Sequence, residues 1–288
     1  MPSPSSVDTD LLRRLDVATE AATAAGTLLK NYCGKLVDVQ EKRPGDLVTE
    51  ADRASEDLVL SIIERHFPED AILAEESGAL GNGSSAYRWA IDPLDGTTNF
   101  AHGYPMSSVS IGLLRDGVPV LGVVYDCFRG ELFRAAEGMG ATRDRLPMQV
   151  SQADSLARSL LVTGFAYDRR ETDDNNYAEF CHLTHLTQGG RRGGSAAIDL
   201  AYVAAGRLDG YWERGLSLWD ITAGIVLVRE AGGVVTAYDG SPLQLQTGRL
   251  LATNGRIHAE MQRELARVQP LAEGLPPALN PRALEGAV

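Results

Sequence analysis

Residues 89–100 read WAIDPLDGTTNF: an apolar run ends in two aspartates, Asp92 and Asp95, with Pro93 and Leu94 between them and Gly96, Thr97 and Thr98 behind. Carboxylates this close repel each other unless water or a cation lies between them. Asp-Pro and Asp-Gly are both turn formers, so the stretch alone is equally readable as a strand-ending turn. A turn does not account for three other places in the chain. Glu75 and Glu76 close the run AILAEE, DLVTEAD (46–52) sets Asp46 and Asp52 about a threonine, and Asp220 follows Leu218 and Trp219. Four acidic clusters, each at the edge of an apolar element, are most simply gathered into one site.

Hard oxygen ligands suit Mg²⁺, whereas zinc calls for His and Cys. Asp92, Asp95 and the intervening Leu94 carbonyl can hold two cations side by side, and such a pair can clamp a phosphate ester and ionise a water. Gly96 lets the backbone approach a phosphate closely, with the N–H groups of Gly96 and Thr97 as donors. An aspartyl-phosphate enzyme of the haloacid-dehalogenase type carries its second aspartate two residues after the first. Here the spacing is three, with proline directly after the first acid, which excludes it.

Composition narrows the field. The 288 residues, 44% apolar and 23% charged, can bury a substantial core. A net charge of −12 argues against a nucleic-acid surface, which needs clustered Lys and Arg. No apolar run is long enough for a membrane span, and MPSPSSVDTD has neither the basic start nor the apolar stretch of a signal peptide. Three scattered cysteines, Cys33, Cys127 and Cys181, fit a reducing compartment, and the expected location is the cytoplasm.

Periodicity predicts helices from about Leu11 to Tyr32 and from about Glu50 to His66. Strands are expected at AILAEE and RWAID, a hairpin at SSVSIGLLRDGVPVLGVVYD about Asp116-Gly117, and a third meander strand at GELFRAAEG. The second half alternates strands at SLLVTG, DGYWE, GGVVTAY and RLLATN with helices near 175–186, 196–206, 219–231 and 256–267, a layered α/β pattern. Residues 1–7 and 269–288 are expected to be loose tails around one domain, 8–268, with a soft boundary near 150–159 dividing halves of about 8–150 and 151–268.

With these residues in hand, the chain resembles the inositol monophosphatase family, within the Mg²⁺-dependent, lithium-sensitive phosphatases related to fructose-1,6-bisphosphatase. WAIDPLDGTTNFAHGYP and WDITAGIVLVREAGG look like its two signatures, with DLVTEAD, EES and GGSAAIDLAYVAAGRLDGYWE in the expected order. The resemblance covers about residues 10–268. It implies an α-β-α-β-α sandwich, usually dimeric, in which water attacks phosphorus directly. It also implies that Glu75, Asp92 and the Leu94 carbonyl hold a first Mg²⁺, that Asp92, Asp95 and Asp220 hold a second, and that Glu75 holds a weaker third through waters. Asp52 and Thr97 would orient and deprotonate the attacking water, with Glu76 supporting them. Gly194, Ser195, Ala196 and Glu213 match positions that contact sugar or cyclitol hydroxyls, and Lys42 stands where the family often has a lysine near the catalytic loop. Thr222 departs from the usual small residue beside Asp220 and is expected to reshape the pocket slightly.

The implied activity is hydrolysis of inositol 1-phosphate or a similar small polyol phosphate. Histidinol phosphate, fructose 1,6-bisphosphate and a 3′-phosphonucleotide are the alternatives within the same chemistry, and a regulatory partner in a transcription complex is the alternative of another class. Among the remaining features, CHLTH (Cys181, His182, His185) reads as a polar helix face rather than a zinc site. GGRRGG (189–194) reads equally as an anion loop or a surface turn. Trp89 and Trp219 are expected to bury the end of the acidic site.

Overall fold

The computed structural model describes residues 8–81 and 85–269; the expected tails, 1–7 and 269–288, lie outside these except for Gln269. Asp8 caps helix α1 (Thr9–Tyr32), accepting from the Leu11 N–H at 3.1 Å, and a stripe from Leu11 through Ala18 and Ala25 to Leu29 is buried. A small hairpin follows, β1 (Val39–Arg43) with β2 (Asp46–Thr49). Periodicity did not signal it, because β1 is exposed along its whole length and has no apolar face to alternate. Thr49 then caps α2 (Glu50–His66) in a capping box: its Oγ1 accepts from the Ala51 N–H, while Asp52 reaches back to accept from the Thr49 N–H at 2.9 Å.

The central sheet is built from β3 (Ala71–Ala74), β4 (Gly78–Leu80) and β5 (Tyr87–Asp95), then β6 (Ser108–Arg115), β7 (Val118–Asp126), β8 (Leu132–Ala136), β9 (Ala141–Arg143) and β10 (Leu146–Pro147). Its order is β10-β9-β8-β7-β6-β5-β3-β4. A one-turn helix, α3 (Thr97–Ala101), leaves the end of β5. Asp116 and Gly117 both take positive φ between β6 and β7, as expected for a tight hairpin.

The second half supplies β11 (Leu160–Thr163), α4 (Tyr177–Leu186), β12 (Gly189–Arg192), α5 (Ala196–Ala204), β13 (Gly210–Glu213), α6 (Leu218–Glu230), β14 (Val234–Thr236), β15 (Leu250–Thr253) and α7 (His258–Leu265). The smaller sheet runs β12-β11-β13-β15-β14. GGRR is neither a turn nor a loop here: it is an edge strand paired in parallel with β11, whose backbone hydrogen bonds override the poor strand propensity of glycine.

The layering is α-β-α-β-α. Helices α1 and α2 cover one face of the large sheet, α5 and α6 lie between the sheets, and α4 and α7 cover the outer face of the small sheet. Both sheets are buried on two sides, and side-chain alternation allots each residue to a layer. In β13, Tyr211 packs inward with α5 and α6 while Trp212 packs outward with α7. The inner core joins Val124 and Phe133 to Val162 and Tyr211, crossing residues 150–159.

Candidate active site

Strand β5 runs past the point where its sequence suggests an end. Asp92 is opposite Ser110 and Asp95 opposite Ser108, so three steps on β5 face two on β6. This bulge absorbs Pro93 and keeps both aspartates on the sheet end rather than in a free turn. Gly96 follows with φ of 90°, and a Cβ there would meet the Met106 and Gly194 carbonyl oxygens at 2.9 and 3.0 Å. Only glycine fits.

Asp220 arrives from the other side, at the start of α6, where its carboxylate accepts from the Ser217 N–H at 2.6 Å. Gly112 and Gly122, paired across β6 and β7, let α6 approach this closely, since a Cβ on either would collide with Thr222 or Ala223. Thr222 accordingly faces the sheet and donates to the Leu218 carbonyl at 2.7 Å. The expectation that it reshapes the pocket is wrong: its methyl group fills the space above Gly112.

Glu75, Asp92, Leu94, Asp95, Gly96, Thr97 and Asp220 line one cavity of about 220 Å³, together with Lys42. Burial drives the carboxyls towards their neutral forms, and mutual repulsion adds to it. Glu75 is pushed up to about 7, chiefly by burial and against the pull of Lys42. Asp92 rises through burial and then the charges of Glu75, Asp95 and Asp220. Asp220 rises through burial and the charges of Asp95 and Glu75. Asp95 also rises through burial, opposed by the Ser195 hydroxyl and the Ala197 and Ala196 N–H groups at the start of α5.

Thr97 Oγ1 lies 2.9 Å from Asp52 Oδ1 and 3.0 Å from the Leu94 carbonyl, the two acceptors open to its proton. Asp52 is fully buried, also accepts from the Thr49 hydroxyl at 2.6 Å, and is pushed up to about 6, mainly by burial. Glu76 makes no hydrogen bond to this pair; its carboxylate accepts from Lys42 at 2.6 Å and reaches Asp52 through its charge alone. Lys42 Nζ also bonds Glu75 at 3.1 Å, and the two acids hold its charge firmly although burial opposes it. It therefore stands among the acids, away from the alcohol-side residues.

Those residues form the adjoining cavity, of about 170 Å³, where Asp95, Gly96 and Thr97 meet Gly194, Ser195, Ala196 and Glu213. Glu213 accepts from the Tyr211 hydroxyl at 2.5 Å and is pushed up to about 7 by burial. Of the two arginines in GGRRGG, Arg192 lines this cavity and Arg191 bonds its own neighbour's carbonyl. Trp219 borders the acidic cavity, whereas Trp89 turns into the outer core and donates to Asp70 at 3.0 Å, which corrects its expected place. His182 bonds Glu264 at 2.9 Å, and Cys181 is exposed.

Sequence reasoning missed Tyr167, Asp199 and Glu56, and left open whether an arginine of GGRRGG meets an anion. Tyr167 and Asp199 line the site from segments in which no acid closes an apolar strand. Glu56 is buried on α2 and accepts from the Glu76 and Ser77 N–H groups at 2.9 and 2.8 Å, fixing the loop that carries Glu75. Its only signal was an acid in the buried stripe of α2.

The donor set fits a hard divalent cation: carboxyls and a carbonyl with no nitrogen or sulfur ligand, in a negative cavity that already draws an ammonium. Among the described residues no three Asp, Glu, His or Cys side chains already stand as a closed ligand set. Asp92, Asp95 and Asp220 each accept from local N–H or O–H donors and keep further oxygen lone pairs for a cation.

A bulged sheet end carrying acids against two helix starts has the donor chemistry of a phosphoryl-transfer site. The chain belongs to the inositol monophosphatase family, whose profile matches residues 10–270. It is 65% identical over 258 residues to an inositol-1-monophosphatase of Synechocystis sp., covering 89% of this chain and 90% of that one. It is 43% identical over 272 residues to the Nus factor SuhB of Pseudomonas aeruginosa, covering 92% and 98%. The solved inositol monophosphatase of Anabaena (Nostoc) sp. superposes with a TM-score of 0.85 at 62% identity, covering 92% of this chain and all of that one.

Proposed function

We propose that this protein is a Mg²⁺-dependent phosphomonoesterase that hydrolyses inositol 1-phosphate or a similar small polyol phosphate by direct attack of water on phosphorus. One observation carries it: the acidic cavity and the alcohol-side cavity abut, with Asp95, Gly96, Thr97 and Asp220 in both walls. An ester lying across that junction has its phosphoryl group among the acids and its alcohol against Ser195, Ala196 and Glu213.

Glu75, Asp92, Asp95, Asp220 and the Leu94 carbonyl would hold the Mg²⁺ ions. When bound, Mg²⁺ neutralises phosphoryl charge and lowers the pKa of an adjacent water. Thr97 and Asp52 move the proton: with its hydroxyl hydrogen directed at Asp52 Oδ1, the Thr97 oxygen is free to accept from that water. Asp52, poised at about 6, is suited to take up the proton near neutral pH. Lys42 and Glu76 tune the field at the edge of this network, and Gly194 completes the alcohol-side wall.

The same function takes the protein as a lithium-sensitive cytoplasmic homodimer, on the strength of family kinship. It also takes residues 8–268 as one catalytic unit, supported by the inner core shared by both halves. No helix among the described residues is long and apolar enough to cross a membrane.

Phosphate release with and without Mg²⁺ from inositol 1-phosphate, fructose 1,6-bisphosphate, histidinol phosphate and a 3′-phosphonucleotide tests this. Preference for another ester keeps the chemistry and changes the substrate; no Mg²⁺-dependent release from any overturns it. The relative named Nus factor SuhB favours a second, regulatory reading in a transcription complex, and a pull-down that recovers no transcription protein counts against it.

A further inference from the structure

Asp199 is a buried acid without an assigned task. It sits on α5, one turn beyond the cap Ser195, with alanine, isoleucine and leucine on either side. The residue is 1% exposed, and among the described residues its Oδ1 is the sole buried carboxyl oxygen with no hydrogen-bond partner. Other buried acids of the fold are tied down: Asp126 accepts from the Phe128 and Arg129 N–H groups, and Asp209 from Ser151 and the Leu160 N–H.

The orphan group borders the alcohol-side cavity together with Glu213. Both carboxyls rest in glycine notches. A Cβ at Gly193 would collide with Asp199 Oδ1, and one at Gly164 would collide with the Glu213 carboxylate. The two acids and Arg192 lie within each other's electrostatic reach. A buried polar group left unpaired costs roughly 1–3 kcal/mol. A leucine would avoid that cost, so a chain that spends a glycine to seat a carboxyl here has a use for it in the cavity.

We propose that Asp199 is a specificity-determining residue that, with Glu213, bonds hydroxyl groups of the substrate's alcohol portion, so that the preferred substrates are phosphate esters of polyols with at least two free hydroxyls. This rests on the phosphatase function proposed above. Glu213 and Asp199 supply two separate oxygen-rich contacts in a space of about 170 Å³, the size of one small polyol. Esters without hydroxyls leave Asp199 Oδ1 unpaired and Glu213 with the Tyr211 hydroxyl alone.

The test compares wild type, Asp199→Leu and Asp199→Asn with Mg²⁺ on inositol 1-phosphate and p-nitrophenyl phosphate. In Asp199→Leu the ratio of kcat/KM between the two esters falls by roughly 10- to 100-fold, the loss of one buried polar contact, and KM carries the change. Asp199→Asn, which can still donate and accept, keeps most of the ratio. The thermal midpoint of Asp199→Leu stays at or above wild type, which a structural acid would not allow. A ratio unchanged in Asp199→Leu overturns the assignment, as does an equal loss on both esters. Should Asp199→Leu fail to fold, wild type assayed with singly deoxygenated inositol phosphates decides. Two sensitive hydroxyl positions support the assignment, and one or none overturns it. A wild type inactive on every ester is instead the failure of the phosphatase function.

Discussion

Thr97 and Asp52 stand 45 residues apart in the chain, yet their side chains meet at 2.9 Å inside the protein. Each is held by a different local device: Asp52 by the capping box of α2, Thr97 by the bulge and the left-handed Gly96 that launch α3. Proton transfer by a positioned pair of this kind contributes about 10²–10⁴-fold to rate. Thr97→Ala therefore lowers kcat on inositol 1-phosphate within that range and leaves KM nearly unchanged, while Thr97→Ser retains most of the activity. A Thr97→Ala enzyme with wild-type kcat would remove Thr97 from the proton path.

Asp95→Asn should cut Mg²⁺-dependent kcat/KM by about 10²–10³-fold or more, as expected for loss of a charge poised at the reacting phosphoryl group. The fold survives, because the remaining Asn oxygen can still accept from the Ala197 N–H and the Ser195 hydroxyl. Near-normal turnover, measured beside an unchanged circular dichroism spectrum, would sink the placement of Asp95 among the ligands.

The acidic cavity sets a pH dependence. Asp52 at about 6 and Glu75 at about 7 both lie above their unfolded values, so the folded protein binds protons more readily than the unfolded chain. Their contribution to stability is complete below the unfolded carboxylate range and is lost as pH rises through 6–7. Mg²⁺ binding to the folded state offsets that loss. The rise in thermal midpoint on adding Mg²⁺ is thus larger at pH 8 than at pH 5.5. An equal rise at both values, measured by differential scanning fluorimetry, would contradict the site.

Far from the site, Arg14 is buried between the rings of Phe67 and Tyr87, 4.2 and 3.8 Å from their centres, and pairs with Asp70. Asp70 also accepts from Ser85 at 2.7 Å and Trp89 at 3.0 Å. Removing Asp70 leaves the Arg14 charge only the half-exposed Asp10, at 3.0 Å, and leaves the Trp89 N–H unpaired, so Asp70→Ala loses about 2–4 kcal/mol of stability. Urea denaturation followed by Trp fluorescence measures this; kcat at 25 °C should stay within twofold of wild type. A loss below 1 kcal/mol would show that the cluster relaxes around the gap.

What the sequence determined by itself is local. The 3.6-residue stripe of α1, the Asp116-Gly117 hairpin and the acids of DPLDGTT each depend on neighbours a few residues away, so spacing alone reveals them. The tertiary structure decided what spacing does not encode. GGRR became a strand because β11 offered it backbone partners, and Arg192 thereby reached the pocket while Arg191 did not. Lys42 met Glu75 and Glu76 across 33 and 34 residues, and Glu56 reached the loop of Glu75 from another element. Asp199 reads in sequence as one acid in an alanine-rich helix; its place beside Glu213 depends on two sheets closing over α5. Periodicity tells which face of an element is buried, but the group met there is chosen by strand order and layer packing, which bring together residues distant in the chain.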